Sequence, residues 1–355
     1  IKGVGPSTAR LIVAAFGKET LEVLGTQPER LLEVPKIGKI RMKQIAQSFL
    51  EQQASRSTFI FLQQYGISPA LSAKIHKVYR DNTETLIRDN PYRLIDDIQG
   101  VGFLTADRIA LSLGISEDSP FRLQAGIKYA LQEASLSGGH TCLMEQELID
   151  KAAELLYAPG AEIRRLLDEL TLQKHLQVDL VDEVRWVSLP SLRKAEIDIA
   201  GRLLNLCKVS QQFMPGHVKA NIKAFEKEQG IEFSKTQRAA VQKAAEHGLL
   251  VITGGPGTGK TTLINCIIHV LGSASNILLA APTGRAAKRM SEACGREAST
   301  IHRLLQYGGE EGSFQINQEN PLDCDCLIVD EVSMMDVFLM KSLLLALQPG
   351  TRLIL

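Results

Sequence analysis

The sequence has no apolar run long enough to cross a bilayer. Stretches such as LLVI (249–252) and CLIV (326–329) are strand-sized, whereas a spanning helix needs about 20 apolar residues. It has no charged-then-apolar leader, and it opens on Ile1 rather than Met inside what reads as a motif, so the N-terminus is expected to be cut. The cysteines Cys142, Cys207, Cys266, Cys294, Cys324 and Cys326 show no Cys-x-x-Cys pairing. That spacing argues against a structural metal knuckle and for reduced thiols in or near cores. Neither sign of charge is in excess, since Lys+Arg and Asp+Glu both number 40. Any nucleic-acid surface must therefore be a local patch rather than a global field. These absences give no membrane to expect as a partner, make no obligate protein partner evident, and leave the cytoplasm as the expected compartment.

What is present is enough chain for two or three domains: 355 residues, 45% hydrophobic and 23% charged, the balance of a globular protein. Three stretches in the first part resemble one another: IKGVGPSTARLIVAAF from Ile1, VPKIGKIRMKQIAQSF from Val34 and IQGVGFLTADRIALSL from Ile98. A weaker fourth copy is QQYGISPALSAKIHKVY from Gln63. Each reads as an apolar step, a tight glycine turn and an amphipathic helix, so the repeated unit is two helices joined by a hairpin.

A turn that ends at a helix N-terminus presents unsatisfied N–H groups and the positive end of the helix dipole. Gly3, Gly5, Gly38, Gly100 and Gly102 would let such groups approach a phosphate with no side chain intervening. The segments resemble helix-hairpin-helix modules, which grip the DNA backbone without reading its sequence. The copy at 35–43 adds Lys36, Lys39, Arg41 and Lys43 with no acid among them, which suits phosphate contact. The alternative is that the turns only connect packed helices. The copy at Gly100, with Asp107 in its helix and no basic cluster, is the one that fits this alternative.

After Ser135 the pattern changes. TCLMEQELIDKAAELL opens a helix with acids in its first turn, and AEIRRLLDELTLQKHL is a second amphipathic helix with Ile163, Leu166, Leu167, Leu170 and Leu172 on or near its apolar face. QVDLVDEVRWVSLP alternates around Asp182-Glu183 and reads as a hairpin. Helix, helix, hairpin is the order of a winged-helix unit. The acidic wing favours the alternative, a small α+β spacer with no ligand. From Ser191 a polar helix leads to QQFMPGHVKA, expected to link into the last domain.

From Phe233 helices alternate with apolar strands, which implies a parallel sheet covered by helices. Between the strand LLVIT and the helix TTLINCIIHVL lie Gly254, Gly255, Pro256, Gly257, Thr258, Gly259, Lys260, Thr261 and Thr262, a complete P-loop pattern. Glycines let successive N–H groups wrap phosphates, Lys260 would neutralise the β and γ phosphates of ATP, and the Thr261 hydroxyl would ligate Mg²⁺. The strand CLIV ends in Asp330 and Glu331, both expected at the C-terminal edge of the sheet beside the P-loop. Asp330 is the candidate Mg²⁺ holder and Glu331 the candidate base for the attacking water; Lys260, Asp330 and Glu331 form the expected catalytic set. The loop Pro282, Thr283, Gly284, Arg285 follows the next strand on the same edge and could hold a nucleic-acid backbone.

In order, TQRAAV, GGPGTGKTT, APTGRAAKRM, TIHRLL and IVDEVSMMD resemble the superfamily 1 DNA helicases of the RecD type. The N-terminal hairpin repeats resemble the branch of that family which works without RecB and RecC partners. The resemblance implies ATP-driven 5′ to 3′ translocation on single-stranded DNA with duplex unwinding. It places Gln237 on adenine, and Thr283 and His302 near the DNA strand. The fold it implies is multidomain: all-α helix-hairpin-helix repeats at 1–120, a winged-helix-like α+β unit at 121–192, linker helices at 193–232, and a first RecA-like P-loop α/β domain at 233–355.

The family continues after a GTRLIL-like strand with a Gly-Asp…Gln motif and a second RecA-like domain that supplies an arginine finger. Arg352 is not a credible substitute for that finger. A terminal RLIL strand would be an unprotected sheet edge, so the motor is expected to be truncated at Leu355. The stretch itself is then expected to bind nucleotide and DNA but to unwind little. Two rivals stay open. One is an AAA+ or clamp-loader-like ATPase, favoured by a helical lid beyond Leu355. The other is a DNA-binding module with a regulatory P-loop, favoured if Lys260→Ala changes nothing.

Overall fold

The computed structural model describes residues 4–208, 215–255, 257–272, 275–308 and 313–355. Gly3 and Pro256, two of the expected site residues, lie outside the described residues. The chain divides into two compact units, one built mainly from Ile1–Glu133 and Leu143–Leu176 and the other mainly from Val187–Leu355.

In the first unit, α1 (Pro6–Phe16), α2 (Thr20–Thr26) and α3 (Lys39–Gln64) are followed by α4 (Pro69–Tyr79), α5 (Thr83–Asp89), α6 (Arg93–Asp97) and α7 (Phe103–Ser112). All four sequence copies end at a helix start: Gly5, Gly38, Ser68 and Gly102 are the extended N-cap residues of α1, α3, α4 and α7. Two positions earlier the backbone turns left-handed, with φ +72° at Gly66, +90° at Gly100 and +71° at Lys36. Only glycine adopts that conformation without steric cost, so Lys36 is held there against its preference.

The copies also belong to a larger duplication. Thr20 and Thr83 stand 63 positions apart and make the same bond, each hydroxyl donating three residues back, to the Gly17 carbonyl at 2.7 Å and the Arg80 carbonyl at 2.6 Å. Gly17 and Arg80 share a positive φ, +50° and +49°. Leu31 and Leu94 are both fully buried. Each half thus packs two hairpins into one body. Ile12, Phe16, Val23, Leu31, Val34, Ile37 and Ile45 form the first core.

Helix α8 (Pro120–Gly138) follows, then β1 (Cys142–Met144), α9 (Glu145–Leu156), α10 (Gly160–Leu172), β2 (Gln177–Val181) and β3 (Val184–Ser188). The three strands form a sheet of order β1-β3-β2. Asp182 and Glu183 both have positive φ, +50° and +64°, a turn whose twist matches that of a two-residue hairpin. Helix α10 buries Ile163, Leu166, Leu167 and Leu170. Leu172, expected near that face, is instead 83% exposed, because two residues beyond Leu170 means about 200° around the helix.

The second unit carries α11 (Pro190–Lys208), α12 (Pro215–Gln229), α13 (Lys235–Glu246), β4 (Leu249–Leu250), α14 (Lys260–Leu271), β5 (Ile277–Ala281), α15 (Gly284–Cys294), β6 (Ala298–Thr300), α16 (Ile301–Leu304), β7 (Tyr307–Gly308), β8 (Ser313–Phe314), β9 (Cys326–Val329), α17 (Val337–Leu345) and β10 (Arg352–Ile354). The main sheet has the order β4-β10-β9-β5-β6, with the strand pairs parallel. Helix α14 is apolar nearly all round and lies within the core with Val218, Ile222 and Phe225 of α12 and Val241 of α13. Helices α11 and α12, read from sequence as a linker, are therefore part of this body; α11 lies along α17.

Strand β10 corrects the expectation of an exposed terminal edge. It sits between β4 and β9, with Leu353 and Ile354 buried at 0% and 1% exposure. Leu355 continues the pairing, its N–H donating to Leu250 at 2.9 Å and its carbonyl accepting from Ile252 at 2.8 Å. Arg352 is buried, donating to the carbonyls of His247 at 3.0 Å and Ala245 at 3.1 Å. Its guanidinium is a tie between strand and helix, and burial lowers its pKa. Among the described residues no helix is long and apolar enough to cross a membrane.

Candidate functional site

Helix α13 begins with a reciprocal cap. The Ser234 hydroxyl accepts from the Gln237 N–H at 3.2 Å, and the Gln237 Oε1 accepts from the Ser234 N–H at 2.8 Å. The remaining amide group of Gln237 donates to the Thr258 carbonyl at 3.1 Å. The start of α13 is thus fastened to the P-loop. Below it, the buried carboxylate of Glu226 on α12 accepts from the Phe233 N–H at 2.7 Å and from Arg238 at 3.0 Å. The backbone N–H, with Arg238 added, holds Glu226 below the usual carboxylate range.

The P-loop spans the exit of β4 and the start of α14. Gly257 and Gly259 have φ of +73° and +82°, left-handed values that glycine supplies at low cost. A Cβ on Gly254 would stand 2.8 Å from the Thr258 hydroxyl, which itself donates to the Gly255 carbonyl at 2.8 Å. A side chain on Gly254 would therefore have to displace the Thr258 hydroxyl. Lys260 folds its ammonium onto the carbonyls of Gly254 and Gly255. Gly259 gives α14 no side-chain cap, so the N–H groups of its first turn, which includes Thr261 and Thr262, are left open to an anion.

Strand β9 delivers Asp330 and Glu331 at the same edge. The Asp330 N–H donates to the Ala280 carbonyl at 3.0 Å, and the Asp330 Oδ1 accepts from the Glu331 N–H at 2.9 Å. Asp330 is half-buried and Glu331 exposed. The Glu331 backbone is left-handed, φ +56°. Its carboxylate meets Arg289 of α15 at 4.0 Å. Cys294, at the other end of α15, has its thiol pushed up by burial and further by the nearby Asp330 charge.

A glycine-rich loop with left-handed turns at Gly257 and Gly259, a lysine held on its carbonyls, and a hydroxyl and a carboxylate at the same sheet edge fit a nucleoside triphosphate with Mg²⁺. Thr261 and Asp330 would hold the metal, which prefers one or two protein ligands and the substrate's phosphates.

The DNA candidates fall into three places. Thr283 is the N-cap of α15 and accepts from the Ala286 N–H at 3.3 Å, so its hydroxyl also has a structural use. Arg285, two residues further on, is exposed, and Pro282 is half-buried. His302 is exposed and sits in a ring cluster with Tyr307 and Phe314, at centroid distances of 5.5 and 5.8 Å. The sequence reading missed that cluster, because its aromatics come from the short β7–β8 pair.

In the helical repeats Gly5, Gly38 and Gly102 leave their helix starts without a side-chain cap, whereas Ser68 caps its own helix. Lys36, Lys39 and Lys43 are exposed, and among the described residues no acid pairs with them. Arg41 is half-buried and donates to the Thr8 hydroxyl at 3.0 Å, joining the first two copies. Asp107 accepts from the Tyr92 hydroxyl at 2.6 Å and from Arg122 at 2.9 Å. The third copy's acid thus belongs to the packing of its own unit.

The second unit is a P-loop nucleotide-hydrolase fold with one extra strand between the phosphate loop and the Asp-Glu strand, and the first is a duplicated tandem of helix-hairpin-helix units. The chain is similar along its whole length to the RecD-like helicases. Residues 237–355 match an AAA domain family, residues 51–142 match the ATP-dependent RecD2 DNA helicase HHH domain, and residues 1–49 match the SAM-like helix-hairpin-helix tandem. The ATP-dependent RecD2 DNA helicase of Deinococcus radiodurans is 32% identical over all of the chain and half of its own length. The RecBCD enzyme subunit RecD of Mycolicibacterium smegmatis is 40% identical over 34% of the chain and 26% of its own length. The ATP-dependent DNA helicase dda of Enterobacteria phage T4 is 42% identical over 32% of the chain and 27% of its own length. The chain spans half the length or less of each of these relatives.

Proposed function

We propose that this chain is the DNA-gripping and first motor portion of an ATP-dependent DNA helicase that moves 5′ to 3′ on single-stranded DNA. What supports the reading is that the loop leading to Lys260 and Thr261 and the strand end bearing Asp330 and Glu331 lie at the same edge of a parallel sheet, whose strand exit at Thr283 opens a basic helix start.

Lys260 leaves the Gly254 and Gly255 carbonyls to neutralise the β and γ phosphates, whose oxygens also receive the α14 N–H groups. Gln237 contacts the adenine. The Thr261 hydroxyl and Asp330 carboxylate hold Mg²⁺, which when bound offsets charge on the transferring phosphate. Glu331 accepts the proton of the attacking water. Pro282, Thr283, Arg285 and His302 lie along the DNA strand, and the uncapped helix starts at Gly5, Gly38 and Gly102, with Lys36 and Lys39, grip phosphates.

DNA is the partner, no obligate protein partner is evident, and the cytoplasm is the expected compartment. The test is ATP turnover by the intact protein with and without single-stranded DNA. Turnover that rises with DNA and vanishes in Lys260→Ala supports the reading; turnover indifferent to DNA contradicts it.

A further inference from the structure

We propose that Arg289 is a positioning residue that restrains Glu331 until DNA competes for it. The inference rests on reading Glu331 as the base and Thr283 and Arg285 as DNA contacts. Arg289 stands 4.0 Å from the Glu331 carboxylate. Strand order gives that contact a direction. Glu331 leaves the end of β9; the P-loop strand β4 lies to one side beyond β10, and β5, which leads into α15, lies on the other. A carboxylate paired with Arg289 is drawn to the α15 side, away from the P-loop. The left-handed backbone of Glu331, φ +56°, and its N–H bond to Asp330 at 2.9 Å fix where that side chain starts.

The same helix carries the competing partner. Arg285 and Arg289 are four residues apart and share a face of α15, whose first residue follows the Thr283 cap. A phosphate backbone lying along that face offers Arg289 an anion in place of Glu331. The exchange is easy, because the side chains are 67% and 45% exposed and such pairs are weak. DNA occupancy would then free the base, tying hydrolysis to the track.

The experiment compares Arg289→Ala, Arg289→Lys and Glu331→Gln in the intact protein, measuring ATP turnover without DNA and at saturating oligothymidylate. Arg289→Ala should raise the DNA-free rate roughly two- to five-fold and gain little at saturating DNA, so the stimulation ratio falls, while Arg289→Lys stays near wild type. A DNA-free rate that is unchanged, or that falls in parallel with the stimulated rate, overturns the proposal. Glu331→Gln separates the two layers: wild-type turnover in that variant removes the base reading itself. An inactive Glu331→Gln beside an Arg289→Ala that behaves as wild type removes only the positioning role.

Discussion

The side-chain amide of Gln237 donates to the Thr258 carbonyl at 3.1 Å while its oxygen accepts from the Ser234 N–H at 2.8 Å, so one residue both caps α13 and steadies the phosphate loop. The two bonds can be separated. Gln237→Glu keeps the acceptor and loses the donor, and it should leave the melting temperature near wild type while weakening ATP binding. Gln237→Ala loses both and should also cost about 1 kcal/mol of stability. Thermal melts with ATP titrations read the difference. Wild-type affinity in Gln237→Glu would show that the Thr258 bond is unused.

Thr258 crowds the space beside Gly254. Gly254→Ala places a methyl 2.8 Å from the Thr258 hydroxyl and should weaken ATP binding several-fold. Adding Thr258→Ala removes the clash and should recover most of that loss, a double-mutant cycle with a favourable coupling. Additive effects would mean that the clash is not the cause.

Lys36 separates backbone from charge. Because its φ is +71°, Lys36→Gly suits the turn and should not lower stability of the hairpin unit. The slope of log affinity against log salt for duplex DNA should fall by about 0.9 if Lys36 meets one phosphate. An unchanged slope would remove it from the interface.

Glu226 gives an acid-side signature. Its folded pKa lies below the ordinary 4.5, chiefly through the Phe233 N–H. Its contribution is therefore complete above about pH 4.5 and is lost as pH falls through the depressed folded value. Wild type should lose stability over that acidic window, and Glu226→Gln should flatten the same limb in urea melts taken across pH. Parallel pH curves for the two proteins would contradict the assignment.

The P-loop and the Asp-Glu pair were legible because phosphate chemistry demands those residue types at a fixed spacing. The hairpin starts were legible through Gly5, Gly38 and Gly102, whose conformational role ties residue type to turn. Less was readable where only packing decides. The duplication linking Leu31 to Leu94 hides in apolar positions, although Thr20 and Thr83 were a visible signal. Helix α12 reads as a polar link, yet Val218, Ile222 and Phe225 recur at helical spacing and are buried. The central place of β10 could not be read locally, since strand order is settled by pairing with β4 and β9.

The proposal that the phosphate loop drives DNA strand separation is tested by strand displacement by the intact protein on a duplex with a 5′ single-stranded tail. Wild type should separate the strands only with ATP and Mg²⁺, and Lys260→Ala should bind the same DNA without separating it. Separation by Lys260→Ala at the wild-type rate, or none by wild type on any tailed duplex, would contradict the claim.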